Sequence, residues 1–218
     1  MAASPIVIFQ ALASGQQPSG ATVEGLKQQD GFRRALFGIK MEDPDTGILC
    51  TGEFRPHLPR PFRRILLTPF AEWSSLEAAR SFSASQTATS LAAKETLGFV
   101  AAGGKQQDLL SVTSAPCTEI FTAFGAEEGF VANVGRFVAA VDANQPEGYK
   151  GASYAQSIDL ATESSTQQET VLRVLIGWTS REAHIEAKAK PGAIQDNIHE
   201  LRALRKSVDL FHVEFKEL

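Results

Sequence analysis

Apolar residues in the second half of the chain recur with two different periods, which predict alternating strands and helices. Phe130, Val134, Phe137 and Val141 recur every three or four residues, as on the buried face of a helix. Residues 170–178 form a nearly continuous apolar run, as expected of a strand buried on both faces. The other predicted elements are strands at 118–124, 149–159 and 208–215, and a helix from 180 that is interrupted at Pro191-Gly192 and resumes to Leu204. The resulting β-α-β-β-α-β order is that of a ferredoxin-like unit.

The first half follows the same order less regularly. Its predicted elements are strands at 5–12, 32–41, 64–70 and 109–113, helices at 22–29 and 75–93, and a turn at 43–47. An insertion at about 53–64 separates the second and third strands and contains three prolines. Because proline cannot donate a hydrogen bond to a neighbouring strand, this insertion is predicted to be a loop.

A repeated motif divides the chain into two units. Trp73-Ser74-Ser75-Leu76-Glu77-Ala78 recurs as Trp178-Thr179-Ser180-Arg181-Glu182-Ala183, 105 residues later in a chain of 218. In both copies the hydroxyl residue after tryptophan and the glutamate three residues beyond it fit a helix capping box. The same offset places His184 opposite Ala79, and a weaker match places His212 opposite Ser111. We therefore predict two tandem α+β units, at 1–114 and 115–218.

Composition narrows the class of protein without naming a reaction. The chain has 21 basic and 25 acidic residues, a net charge of −4, and so lacks the positive excess of a nucleic-acid-binding protein. No apolar run approaches the roughly 20 residues of a membrane-spanning helix, and the N-terminal residues lack a signal-peptide pattern. Cys50 and Cys117 have neither disulfide-framework nor zinc-site spacing. We therefore expect a cytoplasmic protein that binds no metal, membrane or nucleic acid.

The residues around Trp178 and the first and last strands of the second half resemble a known family. Trp178-Thr179-Ser180-Arg181-Glu182-Ala183-His184, together with 118–122 and 210–215, is similar to the dimeric α/β-barrel proteins, also called the antibiotic-biosynthesis-monooxygenase-like superfamily. Tandem members of the kind common in fungi are the most similar. The resemblance implies that two ferredoxin-like halves pair within one chain into a barrel with helices outside. The family includes oxygenases, cyclases, isomerases and haem-binding enzymes, so the fold alone does not select a reaction.

Histidine is the side chain best suited to moving protons near neutral pH, and three of the four histidines lie in the second half. His212 shares a face of the last predicted strand with Val208 and Leu210. It is therefore either a hydrogen-bonded core residue or an acid/base at a pocket. His184 and His199 fall on predicted helices, where a surface or capping position is expected.

Arginine residues supply the candidate anion-binding groups. Arg173 interrupts the apolar run 170–178, and a buried guanidinium requires either an ion partner, such as Glu119, or an anionic ligand. The insertion contributes His57 and Arg64, which are predicted either to close over a substrate or to remain on a solvated surface loop.

Aromatic residues supply the other candidate binding groups. Trp178 either packs the following helix onto the sheet or contributes to a pocket wall. Tyr149 and Tyr154 lie on one predicted strand, and their separation of five residues places them on opposite faces. Tyr149, Trp178 and Arg64 are the predicted binding residues.

Three hypotheses for function follow. The resemblance favours a cofactor-free tailoring enzyme of secondary metabolism that cyclises or isomerises a small polyketide-like or terpenoid-like substrate, with His212 as acid/base, Arg173 as anion stabiliser and His57 as a further catalytic candidate. The second hypothesis is a cofactor-independent oxygenase of a phenolic or enolic substrate. The third is a non-catalytic small-molecule-binding or stress-response protein. The expected partner is a small apolar or aromatic molecule, anionic if the arginines bind it, and a homodimer is the default expectation for the family.

Overall fold

A closed barrel of eight antiparallel strands forms the centre of the protein. The computed structural model describes residues 6–12, 15, 17–30, 32, 34–52, 73, 75–103, 112–160 and 169–218. The barrel strands are β1 (Ile6–Leu12), β2 (Ala35–Lys40), β3 (Asp43–Gly52), β4 (Ala93–Gly103), β5 (Cys117–Phe124), β6 (Tyr149–Ile158), β7 (Val171–Trp178) and β8 (Ser207–Val213). Around the barrel they lie in the order β3-β1-β4-β6-β7-β5-β8-β2, and the pairing of β2 with β3 closes the sheet. A two-residue strand, β9 (Lys216–Glu217), also pairs with β2.

Helices cover the outer face of the barrel. The described helices are α1 (Gly20–Lys27), α2 (Leu76–Ser83), α3 (Gln86–Ser90), α4 (Phe130–Asn144), α5 (Arg181–Ala189) and α6 (Ala193–Asn197), the last continuing into a 3₁₀ helix (Ile198–Leu201). Residues of α1, α2 and α3 pack against the strands of the first half, and residues of α4, α6 and the 3₁₀ helix pack against those of the second half. In the part of the chain described, no helix is both long and apolar enough to cross a membrane.

The strands present one face to the barrel interior and the other to the helices. In β5, Ile120 belongs to the interior cluster and Phe121 to the cluster beneath the helices. In β7, Leu175 belongs to the interior cluster and Val174 to the cluster beneath the helices. This alternation follows from the two-residue period of a strand, and it separates the polar residues of the second half into two distinct environments.

The elements predicted for the second half are confirmed. Phe130, Val134, Phe137 and Val141 are all buried on one face of α4. The apolar run forms β7, in which all eight residues are buried. Leu204 is the exception, because it lies beyond the end of the 3₁₀ helix and is exposed.

The third strand of the first half differs from its prediction. It begins at Asp43, directly after β2, and the connecting turn consists of Met41 and Glu42. The turn predicted at 43–47 is therefore wrong, since this range begins β3, in which Asp43 pairs with β2 and Gly47 pairs with both β1 and β2. The predicted strand at 64–70 and the insertion at 53–64 lie outside the described residues.

The end of the first half also differs. Its fourth strand is β4, which pairs with β1 and β6. Val112 and Thr113, which were predicted to end that strand, are helical, and Ser111, the predicted match of His212, lies outside the described residues. The single helix predicted at 75–93 is two helices, α2 and α3.

Both halves arrange their strands in the same order. In the first half the order is β4-β1-β3-β2, and in the second it is β8-β5-β7-β6. The halves join through β4 with β6 and through β2 with β8. The division into two tandem ferredoxin-like domains at 114/115 stays a prediction.

Serine residues fix the start of the helices that follow the two tryptophans. The Oγ atoms of Ser75 and Ser180 accept hydrogen bonds of 3.1 Å from the backbone N–H groups of Ala78 and Ala183, respectively. These caps lie one residue later than the capping boxes predicted from the repeat, which are therefore wrong in register. In the second half, the cap starts α5 three residues after Trp178 and brings His184 over the indole ring.

Candidate active site

A cavity of about 190 Å³ lies between the sheet and the helices of the second half. Side chains of β5, β7 and β8 form its floor, and α4, α5, α6 and the 3₁₀ helix contribute its walls. Most of its lining is apolar, as is usual for small-molecule sites. Its lining includes five ionisable groups, which are Glu119, His184, Lys188, Arg202 and Arg205.

A second depression, of about 340 Å³, lies beside the outer face of α5. Its charged residues include Glu147, Glu186 and Lys190, and Lys190 forms ion pairs with both glutamates. These pairs are solvent-exposed and contribute little free energy. The smaller cavity is therefore the better candidate for chemistry.

Glu119 on β5 presents a buried carboxyl group to the cavity. Its Oε2 accepts a 3.0 Å hydrogen bond from the indole Nε1 of Trp178, at the end of the neighbouring strand. Burial raises the pKa of Glu119 to about 7, an effect that the indole hydrogen bond and the positive charge of Lys188 only partly offset. Because this pKa lies near neutral pH, the group can act as either an acid or a base.

His184 on α5 lies next to this carboxyl group. Its ring stacks on Trp178, with ring centroids 5.3 Å apart, and its Nε2 lies 3.5 Å from Oε2 of Glu119. Burial, together with repulsion from His212 and nearby cations, lowers the pKa of His184 to about 4. The imidazole is therefore neutral at neutral pH, with one nitrogen that donates and one that accepts.

His212 and Glu42 continue the contact towards the surface. Nδ1 of His184 lies 2.8 Å from Nε2 of His212, and Nδ1 of His212 lies 2.6 Å from Oε1 of Glu42. The backbone N–H of His212 also donates to Oε2 of Glu42, and Arg181 donates to Oε1. Although burial opposes ionisation, the hydrogen bonds from His212 hold the pKa of Glu42 below its usual value. Glu42 belongs to the β2–β3 turn, so both halves of the chain build this arrangement.

Glu119, His184, His212 and Glu42 follow one another in this order, with neighbouring side-chain atoms 3.5, 2.8 and 2.6 Å apart, and we call them the proton relay. With neutral imidazoles, Glu42 accepts from Nδ1 of His212, Nε2 of His212 accepts from Nδ1 of His184, and Nε2 of His184 faces a protonated Glu119. If the proton of Glu119 passes to Nε2 of His184 and the Nδ1 proton passes on to His212, the result is a carboxylate, a neutral His184 and an imidazolium beside Glu42. The relay can therefore re-ionise Glu119 without solvent entering the cavity.

The structure places the predicted catalytic residues apart. His212 is buried but does not line the cavity, which His184 and Glu119 do. Arg173 faces the barrel interior, where Nε donates a 3.0 Å hydrogen bond to Oγ1 of Thr122. The predicted ion pair between Arg173 and Glu119 does not form, because the two side chains lie on opposite faces of the sheet.

Aromatic rings surround the guanidinium of Arg173. Its carbon lies 4.8 Å and 4.7 Å from the ring centres of Phe9 and Phe99, close enough for cation–π attraction. Burial lowers the pKa of Arg173 to about 10, which still leaves it charged at neutral pH. Its role as a substrate anion stabiliser stays a prediction, and its position in the barrel interior favours a structural role.

The predicted binding residues have different environments. Trp178 is fully buried, lines the cavity and donates to Glu119. Tyr149 packs edge-on against Trp178, and its hydroxyl donates a hydrogen bond to Asp142 on α4. Tyr149 and Tyr154 both pack against the cluster beneath the helices, because a bulge between Tyr149 and Gly151 shifts the strand register. The prediction that they lie on opposite faces is therefore wrong. His57 and Arg64 lie outside the described residues.

The equivalent region of the first half is apolar in the part of the chain described. Trp73 stacks on Phe82, and its indole Nε1 has no hydrogen-bond partner there. The position matching His184 is Ala79, which is fully buried. The described proton relay thus serves one face of the barrel only.

Sequence reasoning missed three of the four relay residues. The sequence suggests Glu119 only as a partner of Arg173, and it predicts a surface or capping position for His184. The replacement of Ala79 by His184 between the repeats was the one available signal for that histidine. Glu42 gives no signal, because its partner His212 lies 170 residues away.

Comparisons with protein-family models and with curated proteins give no match. Several solved structures are similar over nearly the whole chain. A candidate monooxygenase from Lactobacillus acidophilus NCFM has a TM-score of 0.53 and 11% identity, covering 98% of this chain and 95% of that one. An anthrone oxidase-like protein has a TM-score of 0.58 and 10% identity, covering 98% and 92%. A candidate monooxygenase from Fusobacterium nucleatum has a TM-score of 0.52 and 9% identity, covering 100% and 95%. Such identities show fold alone, and the chain accordingly has the dimeric α/β-barrel fold.

Proposed function

We propose that this protein is an oxygenase-type enzyme that removes a proton from a small phenolic or enolic substrate in the cavity beside Glu119. The observation that carries the proposal is the position of Glu119. Its buried carboxyl group, with a pKa of about 7, lines an apolar cavity and lies next to the histidines of the proton relay. The oxygenase-type names of two structural neighbours and an anthrone oxidase-like third agree with this proposal.

The first step is a proton transfer. The carboxylate of Glu119 takes the hydroxyl proton of the substrate, which leaves a phenolate or enolate and a neutral carboxyl group. Passage of that proton to His212 restores the carboxylate and places the positive charge next to Glu42. An electron-rich anion in an apolar environment is then available to molecular oxygen.

The second step consumes oxygen as the oxidant. A C–O bond forms between a carbon of the anion and O₂, and protonation gives a hydroperoxide. Removal of the remaining hydrogen from that carbon as a proton breaks the O–O bond and forms a C=O group. The hydroxyl proton and this second proton leave with one oxygen atom as water, so the substrate loses two hydrogens and gains one oxygen. The relay residues supply and accept the protons in these steps. The absence of a cofactor requirement stays a prediction.

The cavity limits the size of the substrate. A cavity of about 150 Å³ is large enough to hold benzene, so the 190 Å³ observed here suits a molecule with one ring and a short substituent. A larger polycyclic substrate would require the helices to move. We therefore propose a single-ring phenol or enol.

A cyclase or isomerase is the second candidate, because the relay can return the proton that it removes. Such an enzyme would convert its substrate without consuming oxygen. Oxygen uptake thus separates the two reactions, while tight ligand binding without any turnover would favour the non-catalytic hypothesis.

The test is oxygen uptake with a panel of single-ring phenols and enols, measured for the wild type, Glu119→Gln and the matched control Glu186→Gln. Glu186 is exposed on α5 and outside the cavity. We expect uptake by the wild type and the control, and a loss of about 10²-fold or more in Glu119→Gln. Product formation without oxygen uptake would favour the cyclase or isomerase, and unchanged uptake in Glu119→Gln would remove Glu119 as the base.

A further inference from the structure

Three cations line the cavity at its solvent side. Lys188 at the end of α5 and Arg202 after the 3₁₀ helix are exposed, and Arg205 is half-buried. None of the three forms an ion pair within the described part of the chain. We call Lys188, Arg202 and Arg205 the cationic rim.

Nearby carboxylates are engaged by other residues. Glu200, which is close to Arg202 in sequence, accepts hydrogen bonds of 2.9 Å and 2.8 Å from Arg136 on α4. Asp209 on β8 lies 3.6 Å from Nζ of Lys40. The positive charge of the rim is therefore not neutralised by these acidic neighbours.

Arg205 is held in a fixed position. Its Nε donates a 2.6 Å hydrogen bond to the backbone carbonyl of Leu201, which leaves its terminal nitrogens available. A guanidinium of this kind can bind both oxygens of a carboxylate. The cavity floor beside Glu119 is largely apolar, with side chains such as Phe121 and Ile176.

We infer that the substrate is a single-ring hydroxy-aromatic or enolic carboxylic acid, whose carboxylate binds to the cationic rim while its hydroxyl faces Glu119. This inference rests on the proposed function for the orientation of the hydroxyl group. The rim contributes positive charge where the cavity meets solvent, and the buried Glu119 can accept a proton from within the same lining. Binding of the carboxylate therefore directs the acidic hydroxyl to the base.

The test compares the binding of two probes of nearly the same shape, 4-hydroxybenzoate and the neutral 4-hydroxybenzamide, by calorimetry without turnover. The variants are the wild type, Arg202→Gln/Arg205→Gln, and Lys27→Gln/Lys216→Gln as a control. The control also removes two positive charges, but at exposed positions outside the cavity. We expect the wild type and the control to bind the carboxylate about tenfold more tightly than the amide, and the rim variant to lose this preference.

Equal affinity for both probes, no binding of either at millimolar concentration, or an unchanged preference in the rim variant would overturn the inference. Preference for the carboxylate without oxygen uptake would support the rim while refuting the oxygenase proposal. Oxygen uptake with neutral phenols and no preference for carboxylates would support the oxygenase proposal while refuting the role of the rim. The two proposals can therefore fail independently.

Discussion

Nδ1 of His184 lies 2.8 Å from Nε2 of His212, so the two imidazoles share one proton between a buried carboxyl group and a partly exposed one. His184 alone would be a neutral histidine with a depressed pKa against a cavity wall. The contact with His212 gives it an outlet for a proton, and the contact of His212 with Glu42 stabilises the charge that results. The relay therefore explains how a base enclosed in an apolar cavity can be regenerated.

Replacement of His212 should interrupt this outlet. We expect His212→Ala to lower turnover by about 10²-fold, with a smaller change in KM, because His212 belongs to the relay and does not line the cavity. The matched control is His199→Ala, whose side chain is 70% exposed, contacts Glu200 and the backbone of Asp196, and does not line the cavity. Steady-state kinetics with and without added imidazole measure the effect, and partial rescue by imidazole is expected. Full activity of His212→Ala would contradict the relay.

The indole of Trp178 should tune the base. Its N–H donates to Glu119 and favours the charged form, so Trp178→Phe should raise the pKa of Glu119 further above its present value of about 7. A hydrogen bond to a charged group contributes about 1.5–3 kcal/mol, which corresponds to roughly one pKa unit or more. The measurement is the pH at which turnover is half-maximal, which should move upward.

The repeat supplies a control for this experiment. Trp73 occupies the matching position in the first half, and its indole Nε1 has no hydrogen-bond partner in the described residues. Trp73→Phe should therefore leave the pH profile unchanged. An equal shift in both variants would mean that general loosening of the fold, rather than the indole hydrogen bond, sets the profile.

The sequence predicts elements well where the periodicity is strong. The helix with Phe130 and Val141 and the strand β7 follow directly from apolar spacing. The strand β3 was missed because Pro44 and Gly47 are typical turn residues, although pairing with two neighbouring strands overrides that preference. The strand β4 was missed for a related reason, since Ala93 to Gly103 has few β-branched residues and gains its order from β1 and β6.

The candidate site was only partly predictable, because its contacts join distant parts of the chain. His212 was correctly expected at a buried position on the last strand. The sequence places His212 on the same strand face as Val208 and Leu210, but it does not show that these two residues line the cavity while His212 does not. Arg173 was correctly expected to be buried, but the sequence does not show on which side of the sheet a doubly buried strand places each residue.

Arg173 should prove structural. We expect Arg173→Met to keep turnover within about twofold, because the guanidinium faces the barrel interior and not the cavity. The free energy of unfolding should change little or increase, since an apolar side chain of similar length avoids the cost of burying a charge while losing the contacts with Phe9 and Phe99. Urea unfolding and steady-state kinetics check both expectations. A loss of turnover of about 10²-fold in a folded variant would restore Arg173 as an anion stabiliser.

Glu119 and His184 should give the folded protein opposite pH dependences. Burial raises the pKa of Glu119 from 4.5 to about 7, so its ionisation costs stability as the pH rises between these values. Burial lowers the pKa of His184 from 6.5 to about 4, so its protonation costs stability as the pH falls between these values. Between pH 4.5 and 6.5 the two effects have opposite signs and nearly cancel in the wild type.

Removal of one group should reveal the other. In Glu119→Gln the contribution of His184 alone remains, and the free energy of unfolding should rise with pH from about 4 to 6.5 by up to about 1.4 kcal/mol per unit. Relative to the wild type, the gain should run from about pH 4.5 to 7, the interval over which ionisation of Glu119 costs the wild type stability. Above pH 7 the variant should be the more stable protein, because the wild type then carries a buried carboxylate. Urea unfolding followed by tryptophan fluorescence across this range measures both effects. Parallel pH profiles of the two proteins would mean that Glu119 titrates near its ordinary pKa, and the proposed base would lose its physical basis.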